Sequence, residues 1–268
     1  TKQKRSYAEA SIVEIIKPSE FREDAKCAHF GICGGCKAQD LNYEQQIKFK
    51  QEQVVDCFER IGGLKDFEIN SIIPSRRIFF YRNKMEFSFA EKRWLTKEEM
   101  EENGGIDDAP FGLGLHVPGR YDKVLDIGEC YLQSEESNKI LSFTRSFFAS
   151  KKLTAHSTKT HTGFLRNLVI KQSHFTNDLM VNLVTFSEEE ELMKEYSAGL
   201  LREVNKITTI VNNVNTKLSQ TSIGDYEKVY HGDGFINDSI GRYKFRVSAK
   251  SFFQTNTLQA ELLYETAL

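Results

Sequence analysis

The sequence lacks the long apolar runs, the charge excess and the cysteine density that mark several broad classes of protein. No hydrophobic stretch approaches the roughly 20 residues of a membrane-spanning helix. The 36 basic and 38 acidic residues nearly cancel, so any surface for a polyanion must be local. Five cysteines among 268 residues do not make a disulfide framework. Repeats and low-complexity tracts are missing too, and the composition is that of a globular protein with one large or two modest domains.

Three cysteines lie within ten residues and are the most informative feature of the chain. Cys27, Cys33 and Cys36 form a C-x5-C-x2-C pattern. The loop also contains three glycines, Gly31, Gly34 and Gly35. Glycine permits the positive φ angles and tight turns by which successive sulfurs face one point. Cys130 follows an alternating apolar run and is the natural fourth thiolate, so we predict a four-cysteine metal site.

The identity of the metal stays open between zinc and an iron-sulfur cluster. Structural zinc sites usually space paired ligands by two to four residues, and the five-residue gap between Cys27 and Cys33 favours a four-iron cluster. His29 lies in that gap as a rival ligand, although its apolar neighbours favour packing or a hydrogen bond to the site. Cys57 sits in a helical, apolar pattern and is interpreted as core packing. A surviving thiolate site implies a reducing compartment, hence the cytoplasm.

Periodicity predicts an α+β protein with a mainly antiparallel sheet. Predicted strands cover 7–16, 84–89, 112–117, 165–171, 179–185 and 207–214. Predicted helices cover 42–62, 135–151 and 188–204, and the polar stretch 97–108 is predicted as a loop. Asn42 with Gln45 is predicted to cap the first helix, and Ser187 with Glu190 the third. The first helix is amphipathic, so its apolar stripe needs a partner.

Gly112 and Gly114 form a G-x-G between alternating leucines. This pair lacks the third glycine and the strand-turn-helix context of a dinucleotide site. We interpret both residues as strand glycines that permit close packing.

Cations alternate with aromatic rings over residues 76–84, a composition that suits single-stranded or looped RNA. Guanidinium groups neutralise phosphates and stack on bases, and aromatic rings are stacking platforms. The candidate RNA contacts are Arg76, Arg77, Arg82 and Lys84. The solvent face of a strand with an aromatic core behind it gives the same pattern, so both interpretations stay open.

Several blocks of the sequence, together with the four cysteines in their order along the chain, resemble a known family. The blocks are 27–39, 41–50, Tyr81–Phe89, 112–116 and Ser251–Asn256. They resemble the bacterial RNA (uracil-5-)-methyltransferases, particularly the iron-sulfur members that modify 23S ribosomal RNA. The resemblance runs over nearly the whole chain, and its most specific elements are the cysteine set and the block Tyr81–Phe89.

The resemblance implies a 4Fe-4S cluster on Cys27, Cys33, Cys36 and Cys130, in a central iron-sulfur and RNA-binding domain over residues 19–240. It also implies that residues 1–18 end an OB-like TRAM domain. Residues 241–268 would begin a Rossmann-like S-adenosylmethionine domain, against which helix 42–62 could pack. Gln254 matches a position that lies against S-adenosylmethionine in the family.

The expected function is the RNA-binding, iron-sulfur part of an S-adenosylmethionine-dependent 23S rRNA (uracil-5-)-methyltransferase that forms 5-methyluridine. We expect a monomer that acts on RNA and not at a membrane. The family's cofactor loop, nucleophilic cysteine and proton-abstracting carboxylate would lie beyond Leu268, so we expect an inactive fragment without catalytic residues. Alternatives are a tRNA (uracil-5-)-methyltransferase, a zinc-stapled RNA-binding module, and a redox protein that uses the cluster as an electron carrier.

Overall fold

The computed structural model describes residues 2–10, 12–104, 109, 111–218 and 221–268. These residues divide into two compact units. The first contains the residues up to Lys26 together with Ala38–Pro74, and the second contains Cys27–Lys37 together with Ser75–Leu268. The domain boundaries predicted near residues 18 and 240 stay predictions. Within the described ranges, no helix is long and apolar enough to cross a membrane.

The first unit begins with a short hairpin instead of the strand predicted over 7–16. Strand β1 (Lys2–Gln3) pairs antiparallel with β2 (Ala8–Glu9). Residues 12–16 lie outside any strand, and Val13 is 99% exposed. Position 11 of the predicted strand lies outside the described residues. The alternation is present, but a strand also needs a surface that covers its apolar side, and Val13 has none.

The helix predicted over 42–62 is confirmed as α1 (Tyr43–Asp56), which continues as a π-helical turn over Cys57–Ile61. The Asn42 side chain accepts a hydrogen bond from the Glu44 N–H at 2.9 Å and caps the helix. The capping box with Gln45 is wrong, because the Asn42 N–H donates to the Phe21 carbonyl instead. No residue of α1 is buried, and Val54 of its apolar stripe is exposed. The interpretation of Cys57 as core packing is wrong, because this cysteine is exposed on the π-helical turn.

The second unit is built on an eight-stranded sheet. In spatial order its strands are β10 (Tyr226–His231), β9 (Thr209–Val214), β8 (Leu179–Thr185), β7 (Leu165–Gln172), β3 (Lys84–Ala90), β5 (Gly112–Val117), β6 (Arg120–Asp126) and β4 (Arg93–Trp94). Within the described residues, β8 with β9 and β4 with β6 pair in parallel, and the other neighbours are antiparallel. The α+β class is therefore confirmed, with a mixed sheet that is mainly antiparallel.

Helix α2 (Lys97–Asn103) replaces the loop that the polar composition of 97–108 predicted. Its start is a capping box: the Thr96 hydroxyl accepts from the Glu99 N–H, and the Glu99 carboxylate accepts from the Thr96 N–H. The spacing T-x-x-E is a helix signal that composition alone hides. Residues 105–108 of the predicted loop lie outside the described residues.

Helices α3 (Glu135–Ser150) and α4 (Glu190–Glu203) pack with one face of the sheet in the main hydrophobic core. Phe89 contacts Phe148 edge-on, and Phe148 packs on the fully buried Tyr196. The Tyr196 hydroxyl is paired with that of Thr144 at 2.7 Å, which satisfies the polar end of a buried ring. The predicted cap of α4 is wrong, because the helix begins after Glu189 without a side-chain cap.

The chain ends in a hairpin and a helix. Strands β11 (Phe235–Ile240) and β12 (Tyr243–Ser248) pair antiparallel, and α5 (Thr257–Ala267) follows after an irregular segment over 249–256. Asn256 caps α5 by accepting from the Gln259 N–H at 3.2 Å.

Gly114 is expected to be intolerant of any side chain, because a Cβ there would overlap the Leu125 carbonyl oxygen and lie 2.7 Å from Ile127. Gly114→Ala should lower the free energy of unfolding by about 2–3 kcal/mol, measured by urea denaturation. Gly128→Ala is the control, since its Cβ would meet only His29 at 3.9 Å. Equal stability of both variants would contradict the close-packing interpretation.

Candidate functional site

The four predicted metal-ligand cysteines all lie in the second unit, and all are free thiols. Cys130 is buried and the other three are half-buried. Burial, together with the charges of Cys36, Cys27 and Cys33, raises the pKa of the Cys130 thiol to about 11. Burial also raises the pKa of Cys27 and of Cys33, and the charge of Cys36 adds to both shifts. The charges of the four thiols thus influence one another.

No group of three or more histidine, cysteine, aspartate or glutamate side chains in the described ranges is arranged to hold a metal ion. The metal site is thus not confirmed and stays a prediction. One zinc ion would draw sulfurs to about 2.3 Å from a common centre. A four-iron cluster spaces its thiolates more widely, because iron and sulfide ions lie between them. Mutual electrostatic influence without close convergence is compatible with the cluster.

Backbone N–H groups face the sulfurs. The Gly35 N–H donates to Cys33 Sγ at 3.3 Å. Two further thiols also receive backbone N–H groups: those of His29 and Phe30 face Cys27, and that of Leu132 faces Cys130. Hydrogen bonds of this kind stabilise thiolates and tune cluster potentials. By its donor chemistry the set fits an iron-sulfur cluster.

The glycines of the cysteine loop mainly allow the loop to approach β5 closely. Of the three, Gly31 has the predicted positive φ, at 86°, and the other two do not. The Gly34 N–H donates to the His116 carbonyl at 3.1 Å, and a Cβ on Gly34 would lie 2.5 Å from that oxygen. Gly35 would bring a Cβ within 3.1 Å of Leu115. Small residues therefore let the loop lie against the end of β5.

His29 and Asn138 form hydrogen bonds to backbone groups near the four cysteines. The Gly128 N–H donates to His29 Nε2 at 3.2 Å, which favours the hydrogen-bonding interpretation of His29 over that of a rival ligand. The Cys130 N–H donates to Asn138 Oδ1 at 2.9 Å, and Asn138 Nδ2 donates to the Cys130 carbonyl at 3.2 Å. Sequence reasoning missed Asn138, although an amide four residues into a helix after the last cysteine was a usable signal.

The segment after Cys130 is paired with the predicted RNA-contact segment. The Phe80 N–H donates to the Tyr131 carbonyl at 2.7 Å, and the Arg82 N–H donates to the Leu132 carbonyl at 2.8 Å. The Phe80 and Tyr131 rings meet edge-on, with centroids 5.9 Å apart. The two residues after Cys130 therefore hold the backbone of Phe80 and Arg82.

A cleft of about 360 Å³ opens beside this segment. Its lining includes Arg77, Phe80, Tyr81, Arg82, His174 and Asn177. Burial and the nearby Arg77 charge lower the pKa of His174.

Of the four predicted RNA-contact cations, Arg77 and Arg82 reach this cleft and two do not line it. Arg76 is exposed. Lys84 pairs with Glu86 at 3.2 Å and lines a smaller cavity instead.

Asn83 joins the block Tyr81–Phe89 to the block Ser251–Asn256. Its Nδ2 donates to the Gln254 carbonyl at 2.6 Å and to Thr257 Oγ1 at 2.8 Å. Its N–H donates to the Thr255 carbonyl at 2.8 Å. The segment predicted to lie against the cofactor is therefore anchored to the start of β3. The role of the Gln254 side chain stays a prediction.

Lys171 holds the same segment from the other side. It is 4% exposed, and its Nζ donates to the carbonyls of Ser248, Ala249 and Ser251 at 2.8 to 2.9 Å. Burial, with the charge of Lys84, lowers the pKa of Lys171 to about 8. This anchor has no signal in the sequence, where Lys171 reads as one residue of a strand.

Lys171 is expected to make stability rise with pH. Its pKa is about 8 when folded and about 10.4 when unfolded, so the folded state loses the proton first. Between pH 8 and 10 the unfolded state binds more protons, and the free energy of unfolding should gain about 2 kcal/mol. Lys171→Met should flatten this rise in denaturant titrations, whereas exposed Lys139→Met should keep it. If both variants showed the same rise in the free energy of unfolding, the rise would come from groups other than Lys171.

The chain is similar over nearly its whole length to known RNA methyltransferases. The chain is 38% identical over 265 residues to an uncharacterized RNA methyltransferase of Chlorobaculum tepidum, covering 98% of this chain and 55% of that protein. It is 39% identical over 272 residues to one of Porphyromonas gingivalis, covering 99% and 58%. Its homologues are RNA methyltransferases. The chain spans little more than half of their length, and no family model matches it.

A solved structure of this kind has the same fold. The chain superimposes on the Pyrococcus abyssi tRNA (uracil-54, C5)-methyltransferase in complex with S-adenosyl-L-homocysteine with a TM-score of 0.68 and 27% identity. The match covers 95% of this chain and 52% of that one. The mixed sheet and its helices are thus shared with an RNA methyltransferase.

Proposed function

We propose that this chain is the RNA-binding part of an S-adenosylmethionine-dependent (uracil-5-)-methyltransferase that forms 5-methyluridine in 23S ribosomal RNA. The observation that carries the proposal is the backbone pairing between Tyr131–Leu132, next to Cys130, and the cation-aromatic segment at Phe80 and Arg82. It joins a thiolate set to a surface with the chemistry of RNA recognition.

In this proposal Cys27, Cys33, Cys36 and Cys130 hold a 4Fe-4S cluster. The cluster would supply a rigid inorganic cross-link. The residues of the chain do the rest: they brace the loop that carries Cys27 against the segment after Cys130, and so fix the cleft. The free thiols, their mutual influence and their N–H donors support this assignment.

Methylation itself is proposed for the whole protein. C5 of uracil is a weak nucleophile, so a thiolate first adds to C6, and C5 then takes the methyl group of S-adenosylmethionine with S-adenosylhomocysteine as the leaving group. A base removes the C5 proton, and the electron pair of that bond expels the thiolate from C6. The target must leave its RNA fold to be reached. The part of this chain is to hold the RNA, and we propose that the Gln254 segment, anchored by Asn83 and Lys171, faces S-adenosylmethionine.

Transfer RNA is the second candidate substrate. It is favoured by the structural match to the Pyrococcus abyssi tRNA (uracil-54, C5)-methyltransferase. The complete cysteine set favours ribosomal RNA, because it matches the iron-sulfur members that the sequence resembles.

A strain that lacks the gene distinguishes the two substrates. We expect one or more 5-methyluridines to disappear from 23S rRNA digests analysed by mass spectrometry, while tRNA digests stay unchanged. Loss from tRNA alone would transfer the proposal to the second candidate. No change in either RNA would refute uracil methylation of both.

A further inference from the structure

We propose that the cleft at Phe80 and Arg82 holds one unstacked nucleotide that flanks the target uridine, with the base on the Phe80 ring and Arg82 donating to its phosphate or base edge. This inference rests on the proposed function, because it needs an RNA substrate. It adds a binding site and a defined role for Phe80.

Phe80 is held in a conformation that its own chemistry disfavours. Its φ is 53°, in the left-handed region where bulky residues are rare and cost about 1–2 kcal/mol. The N–H bond to Tyr131 and the edge contact with its ring keep it there. The result is a ring that remains 37% exposed and lines the cleft. Strain that presents an apolar ring to solvent indicates a ligand for that ring.

Arg82 supplies an unused donor in the same place. Within the described part of the chain its buried Nε has no hydrogen-bond partner. A desolvated guanidinium donor calls for an acceptor, and phosphate or base oxygens accept from it strongly. Arg77 adds a second cation, and Glu135 is the carboxylate that lines this cleft. Two cations against this carboxylate favour an anionic ligand, and the Phe80 ring favours a flat apolar group. A nucleotide has both.

The size and chemistry of the cleft select a flanking nucleotide. About 360 Å³ is near the lower end of pockets for small ligands, so it accommodates one nucleotide and excludes a duplex. The target uridine must meet the thiolate of the methylation step, which the proposed function assigns to the whole protein, so we assign the RNA-holding cleft of this chain to a neighbouring nucleotide. Splayed single-stranded bases that stack on aromatic side chains are the usual mode of sequence-specific RNA recognition.

Phe80→Asn separates stacking from folding. Asparagine tolerates positive φ, so the thermal midpoint should not fall, whereas the ring is lost. We expect affinity of the complete protein for a labelled single-stranded 23S rRNA fragment to fall about ten- to a hundredfold. Arg82→Lys keeps the charge but loses the planar fork, and we expect a smaller loss of affinity.

Phe79→Ala is the matched control. Its ring also meets Tyr131 edge-on, at 6.4 Å, but does not line the cleft, so affinity should stay within about twofold of wild type. Crosslinking with 5-iodouridine-substituted RNA should attach to the peptide that contains Phe80, and not in Phe80→Asn. Wild-type affinity in Phe80→Asn and Arg82→Lys would overturn the nucleotide site and leave the proposed function standing. A wild-type protein that binds no RNA would overturn the proposed function itself.

Discussion

Cys130→Ser is expected to abolish the visible colour of the anaerobically purified protein and to weaken its binding to 23S rRNA fragments by about tenfold or more. Serine keeps the shape of the side chain but offers an alcohol where the cluster needs a thiolate. The loss reaches RNA because the carbonyls of Tyr131 and Leu132 hold the N–H groups of Phe80 and Arg82. When the segment after position 130 loosens, ring and guanidinium lose their fixed positions.

Cys57→Ser is the matched control, since Cys57 is the exposed fifth cysteine and lies on the π-helical turn after α1. It should keep both the colour and the RNA affinity. Because Cys130 is buried, its variant could also fail to fold, and the half-buried Cys27→Ser tests the same claim with less disturbance. Absorption spectra measure the colour, and fluorescence anisotropy measures the RNA affinity. If Cys130→Ser kept its full colour, Cys130 would not be a cluster ligand. If the wild-type protein were colourless and contained zinc, the site would be a zinc site and not an iron-sulfur cluster.

Alternation predicted the centre of the sheet well, because a strand with one face in the core must alternate. Met85, Phe87 and Phe89 are buried as that pattern required. The same logic failed at 12–16, where the pattern exists but no layer covers it. Alternation states what a strand would bury, whereas only the folded chain decides whether a partner is there.

Composition also failed at α2, because a polar stretch can be a loop or a solvated helix. The spacing of Thr96 and Glu99 was the distinguishing detail. Helix caps depend on which groups compete for an N–H. At Asn42 the Phe21 carbonyl, 21 positions earlier in the chain, takes the bond that a local capping box would have used.

The candidate site was predictable where chemistry is tied to residue type. Thiols in ordered spacing, and arginines among aromatic rings, carry their chemistry in the sequence. The supporting residues do not: Asn138 and Lys171 act through bonds to backbone atoms, which any sequence supplies. Lys84, a cation of the same basic run, pairs with Glu86, and its role in RNA contact stays a prediction.

Asn83→Asp is expected to detach the segment over 249–256 and to lower the free energy of unfolding by about 4 kcal/mol. The side chain keeps its size, but both donated bonds are lost, and a carboxylate oxygen then faces the Gln254 carbonyl and the Thr257 hydroxyl. Asn83 is 8% exposed, so solvent gives the new charge little relief. Asp238, which lies close to Thr257 at 3.3 Å, adds like-charge repulsion.

The two effects of Asn83→Asp are measured by urea denaturation and by limited proteolysis. We expect new cleavage within 249–256 under conditions where wild type is resistant, because the Asn83 side chain donates to Gln254 in this stretch and to Thr257 just after it. Asn205→Asp makes the same chemical change at an exposed position after α4 and should alter neither result. If the segment stayed resistant, Lys171 and the backbone bond from Asn83 to Thr255 would suffice as its anchors. The Asn83 side chain would then not be what joins the block around Gln254 to the start of β3.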